Sequence, residues 1–87
     1  MNYQINIDKR AFKELSELNA KDKKKIIDLI DNLSENPRPA GCKKLQGQKK
    51  NMWRVRSGDY RIIYTIEDNI LTITVIKIGH RREIYNR

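Results

Sequence analysis

The chain has 87 residues, carries 19 lysines and arginines against 11 aspartates and glutamates, and has a formal net charge of +8. That length predicts one domain, residues 1–87, with a thin core that buries roughly 60–65% of the surface of the unfolded chain. The lone cysteine excludes a disulfide within the chain, and no apolar stretch approaches the ~20 residues that cross a bilayer, so we expect a cytoplasmic protein without a membrane partner.

The first part of the chain predicts one strand and two helices. Polar and apolar residues alternate from Asn2 to Ile7, which is typical of a strand with one buried face. Asp8 is a favourable N-cap for a helix over residues 9–18, and Asn19-Ala20 breaks the pattern before a second helix from Asp22 to Leu33. The side chains expected to face the core are Ala11, Phe12, Leu15 and Leu18 in the first helix and Ile26, Ile27, Ile30 and Leu33 in the second.

The rest of the chain predicts a loop followed by three strands. A segment with two prolines at residues 36–41 ends the second helix. The strands are expected at residues 52–57, 60–67 and 70–78, with tight turns at Gly58-Asp59 and Asp68-Asn69. The order β-α-α-β-β-β predicts an α+β fold in which a helical hairpin packs on one face of an antiparallel sheet.

Positive charge is concentrated in the second half of the sequence. Residues 43–87 hold eleven of the basic and four of the acidic residues, a net charge of +7, whereas residues 1–42 have a net charge of +1. A segment dominated by one sign of charge is typical of a protein that binds a polyanion. Because Trp53, Tyr60 and Tyr85 are interleaved with these cations, the pattern favours nucleic acid over a merely solubilising surface.

Arginines recur at every second position of the first strand after the loop. Arg54 and Arg56 share one face of that strand because side chains alternate along it, and Arg61 follows the next turn. Guanidinium groups gathered on one surface repel one another unless an anion lies between them. We infer that the anion is RNA phosphate, whose oxygens the planar guanidinium group binds in pairs.

The sequence lacks the residue patterns of the common hydrolase sites. A single histidine and a single cysteine do not make an ordinary zinc site, and there is no glycine-rich phosphate loop. RNA, however, carries its own nucleophile, the 2′-hydroxyl. An enzyme that cleaves it needs only to hold the linkage in line, help to remove the hydroxyl proton and offset the developing charge, for which positioned cations suffice. We therefore expect neither a metal nor a cofactor.

The chain resembles the RelE-type toxins of the RelE/ParE toxin–antitoxin superfamily. The resemblance rests on Lys44–Gly47, Trp53–Tyr64 and Gly79–Tyr85 and covers nearly the whole chain. It implies the RelE-like microbial RNase fold and a toxin that inhibits translation. The implied activity is a metal-independent, ribosome-dependent endonuclease that cuts mRNA in the A site by attack of the 2′-hydroxyl, leaving a 2′,3′-cyclic phosphate and a 5′-hydroxyl.

The resemblance also implies a set of catalytic residues. Arg54 and Arg56 match basic positions of the catalytic strand, and Arg61 matches a phosphate-binding arginine after the hairpin. Arg81 matches an arginine that faces the scissile phosphate or the leaving group, and Tyr85 matches a tyrosine implicated in proton transfer or base stacking. Further contacts with RNA are expected from six basic residues of the same half of the chain: Lys43, Lys44, Lys49, Lys50, His80 and Arg82.

The identity of the general base is left open by these residues. Some family members carry lysines at the positions of Arg54 and Arg56, and lysine can lose its proton, whereas arginine, with a pKa above ~12, does not. The base is then expected at Tyr85, whose phenolate a ring of cations would stabilise. His80, which titrates near neutrality, is the second candidate, and Glu83 is the third.

Two partners follow from the same resemblance. One is an acidic, RelB-like antitoxin that blocks the toxin, and the other is the 70S ribosome with its mRNA and rRNA. Two other functions are compatible with the scaffold, namely gyrase poisoning by a ParE-type toxin and non-enzymatic inhibition of translation by RNA binding. The gyrase-poisoning branch generally lacks the tail arginine and tyrosine together, whereas this chain has Arg81 and Tyr85.

Overall fold

A computed structural model describes residues 2–45 and 51–80. Two helices lie against one face of a five-stranded sheet, which confirms the predicted α+β class. The strands are β1 (Gln4–Ile7), β2 (Lys43–Lys44), β3 (Met52–Ser57), β4 (Tyr60–Glu67) and β5 (Thr72–His80), and the helices are α1 (Lys9–Ser16) and α2 (Ala20–Glu35). A short 3-10 turn, Asp68–Ile70, separates β4 from β5.

Both helices begin at a polar N-cap residue. Asp8 caps α1 as predicted, since its carboxylate accepts a hydrogen bond from the Lys9 amide at 3.0 Å. Asn19 caps α2 by accepting a hydrogen bond from the Asp22 amide at 2.8 Å, so the residue expected to break the helical pattern in fact starts the second helix. Helix α2 is consequently two residues longer at each end than expected. Neither α1 nor α2, the helices of the described part, has the length and hydropathy that a membrane span requires.

The core lies between the helices and the sheet. Its buried apolar side chains are Ala11, Leu15, Ile26, Ile30, Leu33, Val55, Ile62, Tyr64, Ile66, Ile73, Val75 and Ile78. Two residues assigned to the core from the sequence are instead exposed, Phe12 to 62% and Ile27 to 40%. Each follows a buried residue, Ala11 or Ile26, and therefore lies about 100° farther around its helix. The stripe that each helix buries is too narrow to include it.

The sheet has the strand order β1-β5-β4-β3-β2 and is mixed, which corrects the expectation of a purely antiparallel sheet. Strands β2 to β5 pair antiparallel, but β1 pairs parallel with β5. Alternation of polar and apolar residues shows which face of a strand is buried but not the direction of its neighbour. The long connection from β1 through the helices and the intervening strands allows β5 to return beside β1 in the same direction.

Two irregularities shape β5. The strand begins at Thr72 rather than at residue 70, because the 3-10 turn precedes it and Leu71 adopts a left-handed conformation with φ of +49°. Farther along, the register with β4 shifts between Ile63, opposite Lys77, and Tyr64, opposite Val75. Ile76 is therefore an extra residue, or β-bulge, on β5, and bulges of this kind increase the local twist of a sheet.

Candidate functional site

Three arginines project from the face of the sheet opposite the helices. In the antiparallel register of β3 and β4, Arg56 lies directly opposite Arg61, and Arg54 lies two residues farther along β3. Directly opposed residues project to the same side, with Cβ atoms about 4.5–5.5 Å apart. Their strand neighbours Val55 and Ile62 are buried against the helices, so the arginines project to the other side. We call Arg54, Arg56 and Arg61 the arginine set.

The turn between β3 and β4 fixes this arrangement. Gly58 has a φ of +60°, a left-handed conformation that glycine adopts without the penalty of a side chain. Together with Asp59 it forms the predicted two-residue connection, so that Ser57 pairs with Tyr60 and the arginines follow in register. Because a slip of one residue would turn every side chain of β3 to the opposite face, this turn determines that Arg56 and Arg61 oppose each other.

The arginines differ in exposure. Arg61 is only 4% exposed, Arg54 is half-buried and Arg56 is exposed. The Nη1 atom of Arg61 donates a hydrogen bond to the backbone carbonyl of Tyr60 at 3.3 Å. On its other side, Arg61 lies opposite Gly79 of β5, which contributes no side chain to that position. The Arg61 side chain is therefore buried, whereas that of Arg56, directly opposite it, is exposed.

The charges of this arrangement suit an anionic ligand. Arg56 and Arg61 place two guanidinium groups directly opposite each other on one surface, and such groups bind the oxygens of a phosphate in pairs. Cross-strand pairing with the nearest acidic residue of β4, Glu67, does not neutralise Arg61. Glu67 lies opposite Thr72, six residues and about 20 Å along β4 from Arg61.

The two lysines of β2 lie on different faces of the sheet. Lys43 is opposite Arg54 and shares its face, whereas Lys44 is opposite Trp53, which faces the helices. Both lysines are exposed. Lys43 therefore extends the positive surface of the arginine set at the edge of the sheet, and the structure does not bring Lys44 to the same surface.

His80 lies on the helix side of the sheet rather than with the arginines. It is opposite Tyr60, and the two rings make an edge-to-face contact with centroids 5.7 Å apart. Both residues line a cleft of about 280 Å³ to which α2 contributes Asp22 and Lys25. The sequence grouped His80 with the RNA-binding cations, and the structure separates it from the arginine set by the thickness of the sheet.

Several predicted site residues fall beyond the part that the structure describes. Lys49 and Lys50 precede residue 51, and the remaining ones follow residue 80. They are Arg81 and Tyr85, expected to be catalytic, and Arg82, expected to bind RNA.

A polar network that the sequence did not reveal supports β3 from the helix side. Arg38, from the proline-containing loop after α2, forms an ion pair with Asp68 at 2.8 Å, and the Tyr3 hydroxyl donates a hydrogen bond to the same carboxylate at 2.6 Å. These hydrogen bonds, first from Arg38 and then from Tyr3, lower the pKa of Asp68. The hydrogen bond to Asp68 raises the pKa of Tyr3. We call Tyr3, Arg38 and Asp68 the loop network.

The loop network also positions aromatic residues beneath the arginine set. The guanidinium carbon of Arg38 lies 5.1 Å from the ring centroid of Trp53, within the range of a cation–π interaction. Tyr64 donates its hydroxyl to the carbonyl of Pro37 at 2.7 Å, and burial raises the pKa of this phenol. Trp53 and Tyr64 are opposed residues of β3 and β4, so the loop holds from below the two strands that carry the arginines. Only the position of Arg38 between two prolines could have indicated this role.

The acidic residues of the described part do not form a metal site. Within residues 2–45 and 51–80, no three His, Cys, Asp or Glu side chains lie close enough together to hold a metal ion.

Comparisons with known proteins agree along nearly the whole chain. The sequence model of the ParE toxin of the type II toxin–antitoxin system parDE matches residues 5–85. A Methanocaldococcus jannaschii protein whose name places it among the RelE toxins is 33% identical over 88 residues, which span 98% of this chain and 97% of that protein. The Escherichia coli protein named mRNA interferase toxin RelE is 29% identical over 89 residues, which span 99% and 93% of the two chains.

Solved structures show the same architecture. A chain of the archaeal RelE–RelB complex from Pyrococcus horikoshii superimposes with a TM-score of 0.82 at 29% sequence identity. The match covers 93% of this chain and 97% of that chain. The two proteins therefore share element order and sheet arrangement over almost their full length.

Proposed function

This chain belongs to the RelE/ParE family of type II toxins, and we propose that it stops translation by cutting mRNA in the A site of the ribosome. The observation that carries the proposal is the opposition of Arg56 and Arg61 on the face of the sheet opposite the helices, with Arg54 beside them. The family relative from Escherichia coli is named an mRNA interferase, which supports the same reaction class.

In the proposed reaction the 2′-hydroxyl of one ribonucleotide attacks the adjacent phosphorus. The bond to the 5′-oxygen of the next nucleotide breaks, which leaves a 2′,3′-cyclic phosphate and a 5′-hydroxyl. Arg56 and Arg61 bind the non-bridging oxygens, on which negative charge increases in the transition state, and Arg54 extends the positive surface. Because Arg61 is almost fully buried, its charge acts where water screens it weakly.

A general base and a cation beside the leaving 5′-oxygen complete the proposal, and the leaving oxygen takes its proton from water. None of the three arginines can accept the 2′-hydroxyl proton, since the guanidinium group stays protonated in proteins. We assign that proton transfer to Tyr85, and the stabilisation of the leaving oxygen to Arg81. His80 is the weaker candidate for the base, because it lies on the other side of the sheet from the arginine set.

The proposal includes two partners and a location. Without a strong base among the arginines, the protein depends on the ribosome to hold the mRNA in line for attack, which places its activity in the cytoplasm. A RelB-like antitoxin is the expected inhibitor, and the RelE–RelB complex among the related structures supports that pairing. An acidic segment of the antitoxin would cover the positive surface around Arg54, Arg56 and Lys43.

The test is a translation reaction with a defined mRNA and purified ribosomes, read by primer extension. We expect discrete breaks within codons for the wild-type chain and little cutting of the same mRNA without ribosomes. Arg56→Ala should reduce the cleavage rate at least about 100-fold, because the loss of one aligned donor to a developing oxyanion costs about 10²–10³ in rate. Lys21→Ala, which removes an exposed cation from the helix layer, is the matched control and should cut normally.

Other outcomes would contradict the proposal. Intact mRNA accompanied by DNA damage after induction would favour gyrase poisoning. Arrest of translation with neither breaks nor DNA damage would favour inhibition by binding alone.

A further inference from the structure

The face that carries the arginine set continues into a groove at its far end. The groove has a volume of about 560 Å³ and is lined by residues of three strands and of the segment just before β3. Its lining includes Asn51, Met52, Thr65, Glu67, Thr74 and Ile76. We infer that this groove binds a base of the mRNA near the scissile linkage and selects adenine or cytosine. The inference rests on the proposed function.

The register of the strands places the groove and the arginines on one surface. Met52 is opposite Thr65, and Thr65 is opposite Thr74, so these three residues project to the same side. Met52 lies four residues from Arg56 on β3, about 13 Å along the strand. An RNA strand whose scissile phosphate is held by Arg56 and Arg61 can therefore place a nearby base in the groove without leaving the sheet.

The lining of the groove suits a flat, partly polar ligand. Met52 and Ile76, both half-buried, provide apolar contacts for a ring. Neither the Thr65 nor the Thr74 hydroxyl takes part in a side-chain hydrogen bond with another residue of the described part, so both can serve a ligand. Apolar walls with a few polar groups are typical of small-molecule sites, and single-stranded RNA bases are read in this manner by stacking and edge hydrogen bonds.

Glu67 supplies the selectivity. It is exposed at the end of β4, and among residues 2–45 and 51–80 it makes neither a side-chain hydrogen bond nor an ion pair. An ionised carboxylate only accepts hydrogen bonds, so it complements the amino groups of adenine and cytosine. Uracil and guanine present a carbonyl oxygen at the corresponding position, and either would bring an acceptor against an acceptor. The carboxylate also disfavours a phosphate group in the groove, which leaves the base as the part that enters.

The same features argue against an antitoxin segment as the occupant. An antitoxin that neutralises this toxin is expected to be acidic where it meets the positive surface, and Glu67 would repel an acidic chain that extended from the arginines into the groove. An antitoxin segment bound at this site would instead make antitoxin binding sensitive to changes at Glu67.

The test is a comparison of cleavage sites across many translated mRNAs for the wild-type chain and Glu67→Gln. For the wild-type chain we expect uridine and guanosine to be depleted about tenfold or more at one position near the cut, since one good base contact is worth about that much discrimination. Glu67→Gln, whose amide can also donate, should lose most of the depletion while still cutting mRNA. Thr65→Val should reduce cutting at the preferred sites, and both variants should melt near the wild-type temperature.

Glu35→Gln is the matched control, because it makes the same change at an exposed position of α2 and should keep the wild-type site preference. If Glu67→Gln and Thr65→Val cut at wild-type sites with wild-type rates, the groove is not a base site although the proposed function stands. The same conclusion follows if these variants lose only antitoxin binding. If the wild-type chain cuts no mRNA at all, the proposed function and this inference fall together.

Discussion

Arg56 and Arg61 face each other across β3 and β4, but their surroundings fit them for different parts of one reaction. Arg61 is almost completely buried and donates to a backbone carbonyl, so its position is fixed before RNA binds. Arg56 is exposed and can close on a phosphate as it arrives. In the proposed reaction a preorganised cation and an accessible one stabilise the developing negative charge, but neither can transfer a proton.

The need for a base makes Tyr85 the most informative single residue. We expect Tyr85→Phe to slow cleavage at least about 100-fold, because general base catalysis contributes about 10²–10⁴ in rate. Binding to ribosomes should be nearly unchanged, since the ring remains. Single-turnover cleavage on programmed ribosomes, combined with a ribosome pelleting assay, measures the two effects separately. Near wild-type cleavage by the phenylalanine variant would eliminate Tyr85 as the base.

At the scale of elements, the loop network joins parts of the chain that are distant in sequence. Arg38 and Asp68 connect the loop after α2 to the turn between β4 and β5, and Tyr3 adds the residue before β1. The stability that Asp68 contributes should depend on pH. Hydrogen bonds lower its folded-state pKa, so the contribution is complete above the unfolded value of about 3.9 and disappears as the pH falls through the folded value.

The stability that Tyr3 contributes is lost at high pH, whereas that of Asp68 is lost at low pH. The pKa of Tyr3 is raised, so its contribution is complete below about pH 10 and disappears as the pH rises through the folded value.

The lowered pKa of Asp68 can be tested by urea unfolding, which should show a stability gap between the wild type and Asp68→Asn at neutral pH that narrows below about pH 4. Asp28→Asn, at an exposed helical ion pair, is the matched control and should keep the wild-type pH dependence. A gap that stays constant from pH 7 to pH 2 would remove the network from the account.

A second element-scale contact protects the edge of β5. Beyond Val75, where its pairing with β1 ends, the strand is accompanied by α1. The Glu14 carboxylate accepts a hydrogen bond from the Ile78 amide at 2.9 Å and forms an ion pair with Lys77 at 3.0 Å. A helix side chain thus satisfies part of the edge that would otherwise be open to another strand.

The sequence predicted the elements well where a local pattern determines them. Alternation located β3 and β4, and the glycine of the turn fixed their register, so the common face of Arg54, Arg56 and Arg61 was predictable. The parallel pairing of β1 with β5 was not predictable, because no local sequence pattern gives the direction of a neighbouring strand. Strand β2 is two lysines with no apolar alternation. The exposure of Phe12 and Ile27 depends on how closely each helix packs against the sheet, and that distance is set by tertiary packing and not by local sequence.

At the scale of the whole molecule, the sheet separates two kinds of surface. One face is covered by the helices and provides the core. The other carries the arginine set with Lys43 at its edge, four of the eleven basic residues of the segment 43–87. In the proposed function this second face presents its cations to a strand of RNA, and the RNA itself supplies the nucleophile.

That last requirement can be measured directly. Ribosomes are programmed with an mRNA in which the A-site nucleotide that supplies the attacking group carries a 2′-hydrogen in place of the 2′-hydroxyl, and cleavage at that single linkage is followed by gel electrophoresis. We predict that the linkage remains intact while the all-ribose mRNA is cut at the same position. Cleavage of the 2′-deoxy linkage at a comparable rate would contradict the account, because the attacking oxygen would then have come from elsewhere.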